Sequence, residues 1–229
     1  MKLKQYVLKY SLEFLVIVLG ITLSVSLEKR NAVEYQQDLK NQSLNRIKKN
    51  LEVDLIDLEY NYRAHTRASE SIKWVSENNI SLLSYPKEVV GLQVSNAISI
   101  GTIFVDNQEE YRALQNSGLI ELIEIEEVVT ALQNKYIYHE FYKKLEEEML
   151  SQTKELRDYM YQNTVLVNEE TDDLGFSTGR IFTGTEIIPQ PLIERLKDKK
   201  WFHDFYRQRI KTRMKRDSVL IELIENEIN

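Results

Sequence analysis

Cysteine is absent from the 229 residues, which excludes a disulfide framework, a thiolate nucleophile and any cysteine-ligated zinc. Glycine and proline are scarce at 7 and 3, against about 16 and 11 at average usage. So few breakers, beside abundant Glu, Lys, Leu and Ile, indicate a mostly helical protein with short connections. A basic excess is missing too. The 30 Lys and Arg face 36 Asp and Glu, and a net charge of −6 argues against non-specific nucleic-acid binding by the whole chain. The length suits one sizeable domain or two small ones.

One long apolar run is present, "SLEFLVIVLGITLSVSL" from Ser11 to Leu27. With Tyr10 it holds a single charge, Glu13, and spans about 27 Å as a helix, roughly the hydrocarbon of a thin bilayer. Residues 14 to 23 contain no polar stripe of the kind a soluble core helix shows. A basic start, with Ser24 and Ser26 at signal-peptidase spacing, fits a cleaved signal peptide. The apolar run continues past that site to Leu27, so an uncleaved anchor is the expectation. Lysines before the run and Lys29, Arg30, Lys40 and Arg46 after it nearly balance. A short N-terminus ahead of a long domain points to a cytoplasmic N-terminus (residues 1–9), a transmembrane anchor (10–27) and a periplasmic helical domain (28–229).

Within the anchor, Glu13 lies one turn beyond Lys9, so the two can pair while both snorkel to the interface. The sharper reading makes Glu13 an intramembrane contact, with Gly20 and Ser24 permitting close approach of a partner helix.

Beyond the anchor, residues 32 to 78 lack Gly and Pro. Leu44, Ile47, Leu51, Leu55, Leu58, Tyr62, His65, Ile72 and Val75 keep three- and four-residue steps, which predicts a long helix with one buried stripe. Asn78, Asn79 and Pro86 break it, and a shorter helix is expected over 87–99. Asp106 and Glu109 read as a D-x-x-E capping box for a helix ended by Gly118. A long helix is expected over 125–162, with Tyr138, Tyr142, Leu145, Met149, Leu156 and Tyr159 on one face and Glu146, Glu147 and Glu148 outside. Residues 163–190 read as a loop with a small hairpin. Pro191 opens a short helix, and a last long one covers 200–228. The sum is an all-α fold, an N-terminal transmembrane helix followed by an antiparallel bundle.

No motif carries a catalytic constellation. "GFSTG" places Ser177 in a G-x-S-x-G pattern, but neither the apolar strand before it nor the helix after it is there. "HEFYK" starts like H-E-x-x-H, yet Lys143 holds the second ligand position, and His65, His139 and His203 share no metal spacing. The Glu runs near 124–127 and 146–148 read as solvated helix faces. "RQRIKTRMKR" is different. Arg207, Arg209, Lys211, Arg213, Lys215 and Arg216 spread around the helix, so they either pair with acidic helices of the same bundle or meet an anionic surface, lipid head groups or an acidic partner.

Two stretches together resemble a known family. "EFLVIVLGITLSVSLEKRN" is similar to the opening of uncharacterised single-pass membrane proteins of Bacteroidota, in which a glutamate leads an apolar helix containing Gly-Ile. "FVDNQEEYRALQNSGLIELIEIEEVVTALQNKY" resembles that family's Tyr-x-x-Leu-x-x-Ser-Gly signature. The matching positions are Glu13, Gly20 and Ile21, then Tyr111, Leu114, Ser117 and Gly118. The chain departs after the anchor, where members often show Asn and Trp and Leu27-Glu28-Lys29-Arg30 stands here. The resemblance implies location and fold and supplies no catalytic residues.

The expected function is that of a non-enzymatic, membrane-anchored interaction or scaffold protein without cofactor or metal. Its partners would be the bilayer and a protein or a second copy of the chain, with no nucleic acid. The alternative is an extracytoplasmic sensor binding a ligand near Tyr136 to Tyr142 and acting through a separate signalling partner.

Overall fold

The computed structural model describes residues 2–228, with side chains from Ser11 onward except Glu155. Its first element, α1 (Lys2–Asn78), is a single helix of 77 residues, about 115 Å long. The chain supplies one glycine and no proline across that span, so nothing interrupts the backbone hydrogen bonds. The helix then meets three environments in turn. From Ser11 to Leu27 its apolar side chains are uncovered, and from Glu28 to Gln36 its polar ones are uncovered too. From Lys40 onward one stripe is buried: Leu44, Ile47, Leu51, Leu58, His65, Ile72 and Val75 have no exposed surface. The expected stripe is confirmed, with Leu55 and Tyr62 half-buried at its edge.

A 3₁₀ turn over Asn79–Ser84 ends α1, and Pro86 precedes α2 (Lys87–Ser99). Then come α3 (Glu109–Asn116), a second 3₁₀ turn (Leu119–Leu122), α4 (Glu126–Ile137) and α5 (His139–Asn163). Strands β1 (Thr164–Leu166) and β2 (Arg180–Phe182) make an antiparallel hairpin, with Val165 opposite Ile181. The chain closes with α6 (Gln190–Ile228). The fold is an all-α bundle in which α6 runs antiparallel to α1. Lys40 meets Glu227 near one end of the pair, and His65 meets His203 further along.

Four apolar clusters stack along α1. Nearest the uncovered segment, Leu44, Ile47 and Leu51 pack with Leu114, Val128, Leu132, Leu220 and Ile224. Next come Leu58, Phe104, Tyr142, Tyr206 and Ile210, then Ala64, Ala68 and Ile100. Farthest out, Ile72 and Val75 join α2, α5, the hairpin and the start of α6. The hairpin sits on α2 at Gly91, where a Cβ would come within 2.6 Å of the Ile181 backbone, so glycine is required.

Four local expectations are corrected. Asp106 does not cap α3: Gln108 holds the N-cap position without a side-chain bond, and Asp106 turns instead to Arg213. The helix expected over 125–162 breaks at Tyr138 between α4 and α5. There the run "KYIYHEFY" is β-branched and aromatic, with weak helix propensity. Tyr138 is half exposed rather than part of the buried face, and Glu146 is buried rather than outside. Finally, Pro191 begins no separate short helix. It lies in the first turn of α6, where its missing N–H costs nothing, and the helix continues unbroken.

Candidate functional site

A trough of about 1040 Å³ lies between α4 and α6. The two helices run antiparallel there. Phe141 and Arg209 lie at one end, and Glu126 and Glu127 face Val219 and Leu220 at the other. Its walls carry exposed Tyr138, Phe141 and Val219 together with Arg209, Lys215 and Arg216. The break at Tyr138 falls within this geometry, and Tyr138 and Phe141 on either side of it stand exposed on the lining of the trough.

The floor is charged and buried. Lys135 on α4 donates to Asp54 on α1 at 2.8 Å and to Asp217 on α6 at 2.9 Å. Arg213 donates to Asp106 at 3.0 Å, and its Nε lies 3.7 Å from Asp217. His139 Nδ1 stands 2.8 Å from the other Asp106 oxygen. Three carboxylates thus meet a lysine, an arginine and a histidine, between the first and second apolar clusters. The rings of Phe104 and Tyr142 flank the Arg213 guanidinium at 4.8 and 5.2 Å. Burial pushes the Asp54 carboxyl up, with Lys135 working against that shift. Burial, and then the nearby Asp54 charge, pushes the Tyr136 phenol up, and burial also raises Tyr142 against the lowering pull of Arg213.

The six basic positions of "RQRIKTRMKR" separate into two groups. Arg213 belongs to the buried network, only 5% exposed and bonded to Asp106, which corrects its place among the anion-binding residues of the surface. Arg207 is half-buried, 3.4 Å from Asp204 and over the Tyr62 ring. Arg209, Lys211, Lys215 and Arg216 are exposed and make no ion pair among the described residues. Arg209 is held by rings instead, 4.7 Å above Phe205 and 5.9 Å from Phe141. None of this run pairs with Glu146. Glu146 accepts from the Tyr206 hydroxyl and the Phe104 amide, with Lys143 at 3.0 Å.

On the apolar segment, Glu13, Gly20 and Ser24 are exposed on α1. Their spacing of seven and four places them on one face. A Cβ at Gly20 would meet nothing within 4 Å. The side chain of Lys9, the proposed companion of Glu13, lies outside the described residues.

A second buried polar layer lies farther along α1, and sequence periodicity reveals only that His65 is in the stripe. His65 Nε2–H donates to the Thr102 carbonyl at 3.1 Å, since a carbonyl can only accept. Its Nδ1 is therefore the acceptor for His203 Nδ1–H at 2.8 Å. Lys199 is fully buried and donates to the carbonyls of Ala97 and Ile98. Burial lowers His65 to about 4 and Lys199 to about 7, and holds His203 well below its ordinary value. Ser177 sits in an isolated bridge with Thr171, and its buried hydroxyl meets no base. Among the described residues no group of three His, Asp or Glu could hold a metal ion. No family model, curated protein or solved structure matches the chain.

Proposed function

We propose that this chain is a membrane-anchored, non-enzymatic interaction protein whose helical domain stands off the bilayer and engages a protein partner. The observation that carries the proposal is the continuity of α1. One unbroken helix leads from seventeen uncovered residues, Ser11–Leu27, into the buried core of the domain. Among the described residues it is the helix long and apolar enough to cross a membrane, and none of its apolar window is covered by the fold. A soluble protein that left such a surface in water would expose far more contiguous apolar area than monomers tolerate. The N-terminus in the cytoplasm, the domain in the periplasm, the inner membrane and the kinship with the Bacteroidota family belong to the same proposal.

Two experiments test it. Protease treatment of spheroplasts should digest the domain, and complete protection would overturn the orientation. The native mass of the detergent-solubilised protein, with each co-purifying chain identified, should show an assembly with another protein. A bare monomer would remove Glu13, Gly20 and Ser24 as an interface.

The trough favours a second reading, ligand sensing. Lys135 and Arg213 line its floor, and Lys135 also holds Asp54 on α1, so whatever competes for that cation acts on the helix that continues to the membrane.

A further inference from the structure

We propose that the trough between α4 and α6 is the docking site for an acidic amphipathic helix of the partner protein. The inference rests on the interaction reading above and names the surface and the chemistry it takes.

Shape speaks first for a helix. The trough runs from Arg209 to Leu220 along α6, about 16 Å at helical rise. Its walls are two antiparallel helices, the geometry that accepts a third helix side by side. Its volume of about 1040 Å³ is at the upper limit for a small-ligand pocket, roughly 300–1,000 Å³. Exposed residues line both walls, so the trough is a half-open channel rather than an enclosed cavity.

Charge gives the occupant its sign. The chain as a whole is acidic, at −6. Yet Arg209, Lys215 and Arg216 project along one wall with no carboxylate partner among the described residues. Arg209 is already ordered by Phe205 and Phe141, which leaves its N–H fork available for bidentate contact with a carboxylate. Phe141, Tyr138 and Val219 are 39%, 49% and 46% exposed. They supply the apolar anchors that, with arginine, dominate protein interfaces.

Position excludes the anchoring bilayer. Asp54, level with Asp217 through Lys135, lies 27 residues beyond Leu27 on the unbroken α1, about 40 Å along the axis. Lower-numbered residues of α6 lie farther out still. That is several times the Debye length of about 8 Å at physiological ionic strength. The far end of the trough argues against a continuous polyanion as well, because Glu126 and Glu127 would meet its phosphates. The fitting helix is acidic opposite Arg209 to Arg216 and neutral or basic toward Glu126.

The test uses the full chain in nanodiscs of zwitterionic lipid. The probe is a fluorescein-labelled amphipathic peptide of roughly eleven residues, the length that fills the trough. Leu lines one of its faces, Glu flanks that face, and one terminal Lys completes it. A second peptide carries Lys for Glu and Glu for Lys. The acidic peptide should bind saturably and more weakly as salt rises, with the reversed peptide weaker by roughly tenfold or more. The double variant Arg209→Glu/Lys215→Glu should invert that preference, while Lys49→Glu, the same kind of change on the exposed face of α1, should leave it intact. Far-ultraviolet circular dichroism confirms that both variants fold. Equal affinity for the two peptides, no saturable binding, or a preference that survives the double variant overturns the proposal. So does tighter binding of a single-stranded oligonucleotide lost in the same variant. Because topology and native mass are read separately, failure here overturns the trough assignment and leaves the anchored-protein reading standing.

Discussion

Two polar layers cross the same bundle, and they solve burial in opposite ways. In the layer nearer the uncovered apolar segment, Asp54, Asp106 and Asp217 lie within hydrogen-bonding or ion-pair distance of Lys135 or Arg213. In the layer farther out, His65, His203 and Lys199 have no carboxylate among their hydrogen-bond partners and are bonded to one another or to backbone carbonyls. In the first layer each carboxylate has a basic side chain within hydrogen-bonding or ion-pair distance, the three acids sharing Lys135, Arg213 and the neighbouring His139. The second escapes the cost by shedding protons, which is why its basic groups all titrate below their ordinary values. The paired layer is therefore sensitive to deletion of a partner, and the unpaired layer to pH.

The largest effect should come from breaking the paired layer. Lys135→Met leaves Asp54 and Asp217 buried without their shared donor, at a cost of about 3–5 kcal/mol. Urea denaturation of the detergent-solubilised chain, followed by Trp fluorescence, should place its midpoint far below wild type or find it unfolded. An unchanged midpoint would show that the layer is not compensated as described.

The unpaired layer should respond next, on the alkaline side. Lys199 has a folded value of about 7 against 10.5 for the free side chain. Between those values the unfolded chain binds more protons, so stability should rise with pH from 7 to 9.5, by up to roughly 3 kcal/mol. Lys199→Met should flatten that rise. Above pH 10 the sign reverses, because burial holds the Tyr136, Tyr142, Tyr159 and Tyr206 phenols protonated in the fold while the unfolded chain ionises them.

Acid should act with similar or smaller size. His65 folds with a value of about 4 against 6.5. Below 6.5 the unfolded state takes up the proton first, so stability is lost as pH falls from 6.5 toward 4, by about 2–3 kcal/mol. His203 adds to the same slope. Asp54, raised by burial, opposes it at the acid end. The midpoint measured at pH 5 and 7, in wild type and His65→Leu, separates these contributions.

The smallest effect provides the baseline. Lys48 and Glu225 form a partly exposed pair at 3.1 Å, so Lys48→Ala should cost about 0–1 kcal/mol. A loss as large as that of Lys135→Met would erase the distinction between compensated burial and surface pairing.

Much of this architecture was legible before folding. The apolar run, the stripe on α1, helix α2 over 87–99, the stop at Gly118 and the hairpin all follow from local patterns. Gly118 is a good instance, since its φ of +74° is one that glycine adopts freely. The trough was not legible. Its aromatic neighbourhood, Tyr136 to Tyr142, and its basic run were each visible. Nothing local indicated that they face one another, or that Arg213 turns inward while Arg209 and Arg216 stay out. Glu146 was misread for the same reason. Three consecutive glutamates suggest a solvated face, and only the arrival of Phe104 and Tyr206 makes one of them a buried acceptor.

By itself, then, the sequence determined what repeats along the chain. It set where helices run, which stripe each hides, and which segment is too apolar for water, because these depend on residues three or four apart. Only the tertiary structure decided which charges are compensated, which are neutralised and which remain free to meet a partner. Asp54 and Lys135 are separated by 81 positions and Asp106 and Arg213 by 107, and no local period encodes a distance of 3 Å between them.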